Sequence, residues 1–282
     1  MKKKIISIII IAVLAMLVMG CGYCFKRLMQ HEKAQSHQIA SLMGSVGEVK
    51  ERLRRQQEYF NYNIRWSDDG FNFLAIGNSL TLISSWGRGI CSTKPDNDYF
   101  GLVLNYLKTT NYLKTTNYLK TTDVRSYRWN FSIWEWAHNR STVLDLLDSF
   151  LSEKVDLIVI QLGENVLLAS EAEVERYEED LGLLIDYVRS KTSSSCRIVI
   201  VDDFWNEDRS NVRKKVAKEK GCAFADLSDI RGNKKYQSKE GIKCLMSDGT
   251  VKRVSKEAET HPGDEGMKYI AEKVIEQIRE DF

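Results

Sequence analysis

The sequence predicts an α/β fold of three layers built around a parallel sheet of five strands. Two short runs, Leu157–Ile160 and Ile198–Val201, are apolar at every position, as strands buried on both faces must be. Stretches with one apolar stripe at helical spacing lie between and after these runs. This alternation continues along the chain after residue 66, which is typical of parallel strands joined by crossover helices.

Five segments have the composition of strands, and three have the clearest helical stripe. The predicted strands are Asn72–Gly77, Val124–Phe131, Leu157–Leu162, Arg197–Phe204 and Ala223–Leu227. The predicted helices contain residues 143–151, 174–188 and 267–278. In parallel sheets ligands bind outside the carboxyl ends of the strands, so residues that follow each strand are the first candidates for a site.

The composition argues against several classes of protein. The 282 residues include 41 Lys and Arg against 39 Asp and Glu, so the net charge is only +2. Such a balance creates no strong field for nucleic acid. Cys21 and Cys24 have the spacing of a metal pair, but they end an apolar run without further ligands. The sequence therefore predicts no nucleic-acid partner, no metal and no cofactor.

Residues 1–27 have the pattern of a membrane anchor. Lys2, Lys3 and Lys4 precede the apolar run Ile5–Met19, as in an export signal. Extended to Phe25, a helix here would be about 31 Å long, which matches a hydrocarbon core of about 30 Å. Two interpretations stay open: a retained transmembrane signal anchor, or cleavage and lipidation at Cys21 in a sequence that resembles a lipobox. Both predict an extracytoplasmic domain attached to the cell membrane.

Residues 28–65 separate this anchor from the α/β domain of residues 66–282. Apolar residues recur there at spacings of three and four, namely Ile39, Leu42, Val46, Val49, Leu53 and Phe60. This weak heptad pattern predicts a helical stalk through which copies of the chain could associate. The alternative is an amphipathic helix that lies on the domain or on the membrane.

A perfect repeat interrupts the α/β pattern. The hexapeptide NYLKTT occurs three times over Asn105–Thr122. Its period matches neither a helix nor a strand, and it is far shorter than the repeats of solenoid proteins. We interpret it as an exposed insertion between a helix and the second strand, which is tolerated because loop-closure entropy grows slowly with length.

Residues with catalytic chemistry follow the first and third strands and precede the last helix. Ser79 comes directly after the first strand, and the alternative for it is a helix cap. After the third strand, Gly163 would let the backbone approach a ligand, and the Asn165 amide would suit an oxyanion. The alternative for this pair is an ordinary turn. His261 lies in a polar loop before the final helix. A hydroxyl, an amide and an imidazole at one sheet edge are the minimum for acyl transfer.

These segments resemble the sequence blocks of the SGNH (GDSL-like) hydrolase family. Residues 77–80, GNSL, resemble its GDSL block, with Asn78 in place of the usual Asp. Residues 163–165, GEN, resemble its GxND block, and residues 261–263, HPG, resemble the block of the catalytic His. The resemblance covers roughly residues 70–282. Within the family, the sequence is similar to a bacterial subgroup of uncharacterised members. It implies a flavodoxin-like fold and metal-free hydrolysis of an ester or thioester, with Ser79 as nucleophile and His261 as base.

The sequence departs from the family pattern at the triad acid. Ala258 stands three residues before the His, where an Asp is usual. The group that orients the imidazole would then be Glu257, Glu259 or a backbone carbonyl. Disabling the triad Asp of a serine protease costs about 10⁴ in rate, so this departure also permits a slow or inactive protein.

A second departure concerns the second strand, which does not end in the family's glycine. The backbone N–H of Ser132, Ile133 or Trp134 would have to replace that oxyanion donor, whose loss typically costs about 10²–10³ in turnover. We also expect Trp134, Glu135 and Trp136, which follow the second strand, to line the mouth of the substrate site, since aromatic rings suit sugar faces. The alternative is that these residues pack under a loop.

The sequence-based prediction of function is a membrane-attached serine esterase. Its substrates would be O-acyl, above all O-acetyl, esters of cell-envelope carbohydrate. The alternative is a catalytically impaired glycan-binding or scaffold module of the same fold. A lipase or thioesterase ranks third, because no segment has the character of an acyl-chain lid.

Overall fold

The computed structural model describes residues 64–109 and 123–279, together with the isolated helical positions Gly47 and Lys50. The predicted anchor, nearly all of the predicted stalk and most of the NYLKTT repeat lie outside the described residues. The chain divides into two compact units, residues 1–56 and 57–282, and the fold below belongs to the second. Within the described ranges, every helix is too short or too polar to cross a bilayer.

The sheet contains the five strands that the sequence predicts, all parallel. They are β1 (Phe71–Gly77), β2 (Val124–Asn130), β3 (Leu157–Gln161), β4 (Arg197–Val201) and β5 (Ala223–Ala225). Their order is β2-β1-β3-β4-β5, which is the order of flavodoxin-like folds. The predicted α/β class with a parallel five-stranded sheet is therefore confirmed.

Helices cover both faces of this sheet. The described α-helices are α1 (Tyr99–Thr109), α2 (Ser132–Trp136), α3 (Glu171–Ser190), α4 (Glu207–Glu219) and α5 (Asp264–Arg279). Helices α1 and α5 pack together over one face, and α3 contacts α4. Neighbouring residues of β1, such as Phe73 and Leu74, are equally buried although they point to opposite faces. The segment predicted as a helix over residues 143–151 forms a 3₁₀ helix, Arg140–Leu147.

A short antiparallel hairpin, β6 (Lys243–Leu245) and β7 (Val251–Arg253), was not predicted. Strands of three residues are too short to show a period in the sequence. The hairpin contacts the loop after β1, where the Leu245 N–H donates a hydrogen bond to the Thr93 carbonyl at 2.8 Å. Cys91 and Cys244 are buried with Val254 and Ala258 in a small apolar cluster beneath it.

Three strands end at the same level of the sheet. The last residue of β1, Gly77, is in register with Asn130 of β2 and with Gln161 of β3. The segments that follow these strands are consequently neighbours at one edge.

Candidate active site

Ser79 lies on a tight turn directly after β1. The carbonyl of Asn78 accepts hydrogen bonds from the N–H groups of Thr81 at 3.1 Å and Leu82 at 3.0 Å. Gly77 is required here, since a Cβ on it would lie 1.9 Å from Thr81 Oγ1. Ser79 is half-buried, and within the described residues neither its hydroxyl nor its N–H has a hydrogen-bond partner. Both groups are therefore free to meet a ligand.

A buried carboxylate, that of Glu135 in α2, joins the segments after β1 and β3. Its Oε1 accepts from Asn78 Nδ2 at 2.9 Å and from the Gly163 N–H at 2.6 Å. Its Oε2 accepts from the side-chain amide of Asn165 at 2.6 Å. Burial raises the pKa of Glu135, and the nearby Glu164 raises it further.

The second carboxylate, Glu164, is held by a buried guanidinium. Its Oε1 accepts from Arg213 Nη1 at 2.8 Å, and its Oε2 accepts from Asn78 Nδ2 at 2.6 Å. Burial lowers the pKa of Arg213, but Glu164, Tyr177 and Asp203 outweigh it and raise that pKa well above its usual value. Arg213 is thus a permanent positive charge that offsets the buried acids around it.

These contacts favour an amide over a carboxylate at residue 78. Its Nδ2 group donates to Glu135 and to Glu164, and an aspartate has no donor to offer them. A carboxylate at residue 78 would place a third negative charge beside two others. The Asn78 amide is therefore matched to its two acidic neighbours.

The imidazole of His261 is oriented by a backbone carbonyl. Nδ1 lies 3.2 Å from the carbonyl oxygen of Ala258, so Nδ1 donates its proton there and Nε2 keeps its lone pair. The ring of Trp205 packs edge-on against the imidazole at 5.3 Å between centroids. Burial lowers the pKa of His261, although the Ala258 contact and Glu164 oppose this shift.

Contacts through neighbouring residues relate His261 to the Ser79 turn. The Ser79 carbonyl accepts from the Ile90 N–H at 2.9 Å, and the next residue, Cys91, donates from Sγ to the Ala258 carbonyl at 3.4 Å. Within the described residues, no hydrogen bond joins Ser79 to His261 directly. Hydrogen bonds of catalytic residues are often long in unliganded proteins and tighten when substrate binds.

Asn165 follows β3 and is exposed, whereas Trp134 and Gly163 do not have the surroundings that the sequence predicted. Trp134 is fully buried, and its ring packs near Tyr177 with centroids 6.3 Å apart, so the prediction that it lines the substrate surface is corrected. Its neighbour Trp136 is 69% exposed instead. Gly163 has φ +116°, and a Cβ on it would lie 2.1 Å from the Tyr177 hydroxyl. Internal packing therefore requires this glycine.

The backbone after β2 offers one uncommitted donor. The N–H of Ser132 donates to Asn130 Oδ1 at 3.0 Å, and the N–H of Trp134 donates to the Phe131 carbonyl at 3.0 Å. The Ile133 N–H has no acceptor in the part of the chain that the structure describes. Of the three donors considered from the sequence, Ile133 is the one left available.

A cavity of about 330 Å³ opens beside Asn165 and Glu135. Its other walls include Trp136, Leu167, Arg140 and Arg176. Trp136 and Leu167 are 69% and 71% exposed, so two large apolar side chains border this cavity. Among residues 64–109 and 123–279, no group of three His, Cys, Asp or Glu side chains is arranged to hold a metal ion.

Comparison with protein-family models gives no match, and comparison with curated proteins gives none either. Among solved structures, the lipase Lip_vut3 from a goat rumen metagenome is similar, with 11% identity over 73% of this chain and 97% of that chain and a TM-score of 0.43. A possible lipase from Chitinophaga pinensis shares 14% identity over 74% of this chain and 97% of that chain, with a TM-score of 0.45. Likeness at this level carries no argument about activity, which rests on the geometry above.

Proposed function

We propose that the chain is a serine ester hydrolase of the SGNH type, with Ser79 as nucleophile, His261 as base and Asn165 as oxyanion donor. The observation that carries this proposal is that the hydroxyl and the N–H of Ser79 have no hydrogen-bond partner among the described residues. Hydrogen bonds from Asn78 and Asn165 to the Glu135 carboxylate connect the turn that carries Ser79 with the amide that we propose as oxyanion donor. The orientation of His261 adds support, because its Nε2 is left as an acceptor.

The reaction needs no group beyond these residues and water. His261 Nε2 takes the proton of Ser79 as its Oγ attacks the ester carbonyl carbon. The N–H of Ser79, the amide of Asn165 and the N–H of Ile133 stabilise the resulting oxyanion. The bond to the alcohol breaks, and His261 returns the proton to the leaving oxygen. His261 then takes a proton from water as that water attacks the acyl-enzyme carbonyl carbon. The bond to Ser79 Oγ breaks, His261 returns the proton to Oγ, and the acid is released.

The substrate class that we propose is an O-acylated, above all O-acetylated, carbohydrate of the cell envelope. The cavity beside Asn165 supports it, since exposed Trp136 offers a flat apolar face and Arg140 and Arg176 offer hydrogen-bond donors. The proposed location, outside the membrane on the anchor of residues 1–27, would bring the site to such polymers. Self-association through the stalk is part of the same proposal.

Replacing Ser79 tests the chemistry. The full chain, purified in mild detergent, is assayed on p-nitrophenyl acetate and labelled with a fluorophosphonate probe. We expect Ser79→Ala to abolish labelling and to lower kcat/KM at least about 10³-fold. Ser195→Ala, at an exposed serine before β4, is the control. Unchanged hydrolysis by Ser79→Ala contradicts the proposal, and wild-type protein that neither labels nor hydrolyses favours the glycan-binding alternative.

Replacing Trp136 tests the substrate class. Trp136→Ala should lower kcat/KM about tenfold on an O-acetylated oligosaccharide, because ring contacts with a ligand contribute on the order of 1–2 kcal/mol. On p-nitrophenyl acetate, which is too small to fill the cavity, the same variant should match wild type. Val251→Ala, at an exposed apolar residue of β7, is the control. Equal effects on both substrates would count against a carbohydrate in this cavity.

A further inference from the structure

We propose that Glu135 is a positioning residue of this site: its carboxylate fixes the orientation of the Asn165 amide toward the oxyanion. The inference rests on the proposed function. Glu135 is only 3% exposed, and a charged side chain that is buried to this degree needs hydrogen-bond donors around it.

The first step of the argument is the bond between the two side chains. Glu135 Oε2 accepts from Asn165 Nδ2 at 2.6 Å. An amide nitrogen carries two hydrogens in a plane, so fixing one of them fixes the direction of the other. The free hydrogen is then available to an oxyanion, and Oδ1 is turned away. Without an acceptor at residue 135, rotation of the amide would present Oδ1 to the developing negative charge.

The second step concerns the backbone that carries Asn165. Glu135 Oε1 accepts from the N–H of Gly163 at 2.6 Å and lies 3.4 Å from the N–H of Asn165. The same carboxylate therefore holds both the side chain and the turn of the oxyanion segment. It also accepts from Asn78 at 2.9 Å, so one residue after β2 connects the segments after β1 and β3.

The third step concerns charge. Within the described residues, the Glu135 carboxylate accepts its hydrogen bonds from three residues, Asn78, Gly163 and Asn165. An ionised carboxylate is acceptor-only and satisfies all of them, and charge-assisted bonds of this kind are roughly twice as strong as neutral ones. Glutamine, the neutral residue of the same shape, has an NH₂ donor in place of one acceptor oxygen. That donor would face one of these N–H groups, with no acceptor between the two.

The test compares Glu135→Gln with wild type in the full chain, on p-nitrophenyl acetate. We expect kcat to fall about 10–100-fold with KM within about threefold, because an oxyanion donor acts mainly in the transition state. Asn165→Ala should lose at least as much, and adding Glu135→Gln to Asn165→Ala should cost less than about threefold more. Glu153→Gln, at an exposed glutamate before β3, is the control.

A second variant separates positioning from folding. Glu135→Asp keeps the charge and withdraws the carboxylate by one methylene, about 1.5 Å, so reduced kcat is expected. Its thermal transition shows whether the variant is folded. A folded Glu135→Asp or Glu135→Gln with wild-type kcat overturns the inference. The inference is also overturned if Glu135→Gln lowers kcat by the same factor in the Asn165→Ala variant as in wild type. Hydrolysis that survives Ser79→Ala instead shows that the proposed function itself is wrong.

Discussion

The carbonyl oxygen of Ala258 lies 3.2 Å from Nδ1 of His261. The Ala258 side chain faces away, into the apolar cluster with Cys91 and Cys244. The loop thus offers its backbone to the histidine and its side chain to the core. Of the three candidates that the sequence left open, the carbonyl is the one in contact.

This contact predicts that neither neighbouring glutamate is a triad acid. Glu259 forms an ion pair with Lys256 at 2.5 Å, and Glu257 is exposed. Glu257→Ala and Glu259→Ala should each keep kcat/KM within about twofold of wild type, whereas loss of a true triad acid costs about 10⁴. Steady-state assays on p-nitrophenyl acetate measure this. A 100-fold loss in either variant would identify a carboxylate partner after all.

The surroundings of His261 predict the acid side of the pH profile. Because burial lowers its pKa below the usual 6.5, the imidazole is neutral at pH 7 and accepts a proton only in more acidic solution. Hydrolysis, which needs the neutral form, should be constant near pH 7 and fall with an apparent pKa below 6.5 in kcat/KM. Measurement between pH 4.5 and 8 checks this.

Removal of the ring that covers the imidazole should move that profile. Trp205→Ala exposes His261 to water, so its pKa should rise and the acid limb should shift to higher pH. Two results would contradict the role of burial: an apparent pKa of 6.5 or higher in the wild-type kcat/KM profile, or an apparent pKa in Trp205→Ala that is lower than in wild type.

The Asn78 amide predicts a pH-dependent loss of stability on Asn78→Asp. At pH 7 the third carboxylate beside Glu135 and Glu164 should lower the free energy of unfolding by about 3 kcal/mol. Crowded carboxylates have folded-state pKa values above their unfolded values. The penalty is therefore absent below the unfolded pKa of about 4 and grows as pH rises.

Thermal or urea unfolding at pH 4.5 and pH 7 measures this difference. Asn78→Ala is the matched control, because it removes the same hydrogen bonds without adding a charge, and its loss should vary less between the two pH values. Combining Asn78→Asp with Glu135→Gln should restore part of the stability at pH 7. An Asn78→Asp variant as stable as wild type at pH 7 would show that the amide is not needed between the carboxylates.

The surroundings of Gly163 predict that adding a single methyl group there lowers the free energy of unfolding strongly. Gly163→Ala combines an unfavourable φ of +116° with a Cβ placed 2.1 Å from the Tyr177 hydroxyl. Gly232→Ala, at φ +73° with nothing within 4 Å, isolates the backbone cost, which is about 1–2 kcal/mol. Urea unfolding should show Gly163→Ala to be less stable than Gly232→Ala by about 2 kcal/mol. Equal losses would mean that the packing against Tyr177 relaxes freely.

The five strands were predictable because each is long enough, or apolar enough, to be recognised in the sequence. The hairpin β6–β7 was not, since three residues carry no usable period. Trp134 and Trp136 show another limit. Two residues along a helix turn by about 200°, so one ring faces the core and the other solvent. Only the packing of α2 decides which of them is buried.

The role of Glu135 was also beyond the sequence, although a signal was present. Glu135 is a charged residue between two tryptophans in the segment that follows β2, and burial of such a charge requires several donors. Which donors they are depends on the neighbouring strands β1 and β3, and their adjacency follows from the sheet order. Local pattern locates such a residue, and tertiary structure defines what it does.

The NYLKTT repeat connects to the described fold at the edge of the sheet remote from the site. Helix α1 ends at Thr109, and Asp123 precedes β2, where its carbonyl accepts from the N–H of Phe71, the first residue of β1. Ser79 follows the last residue of that same strand. The chain therefore re-enters the described fold after the repeat at the end of β1 opposite to Ser79.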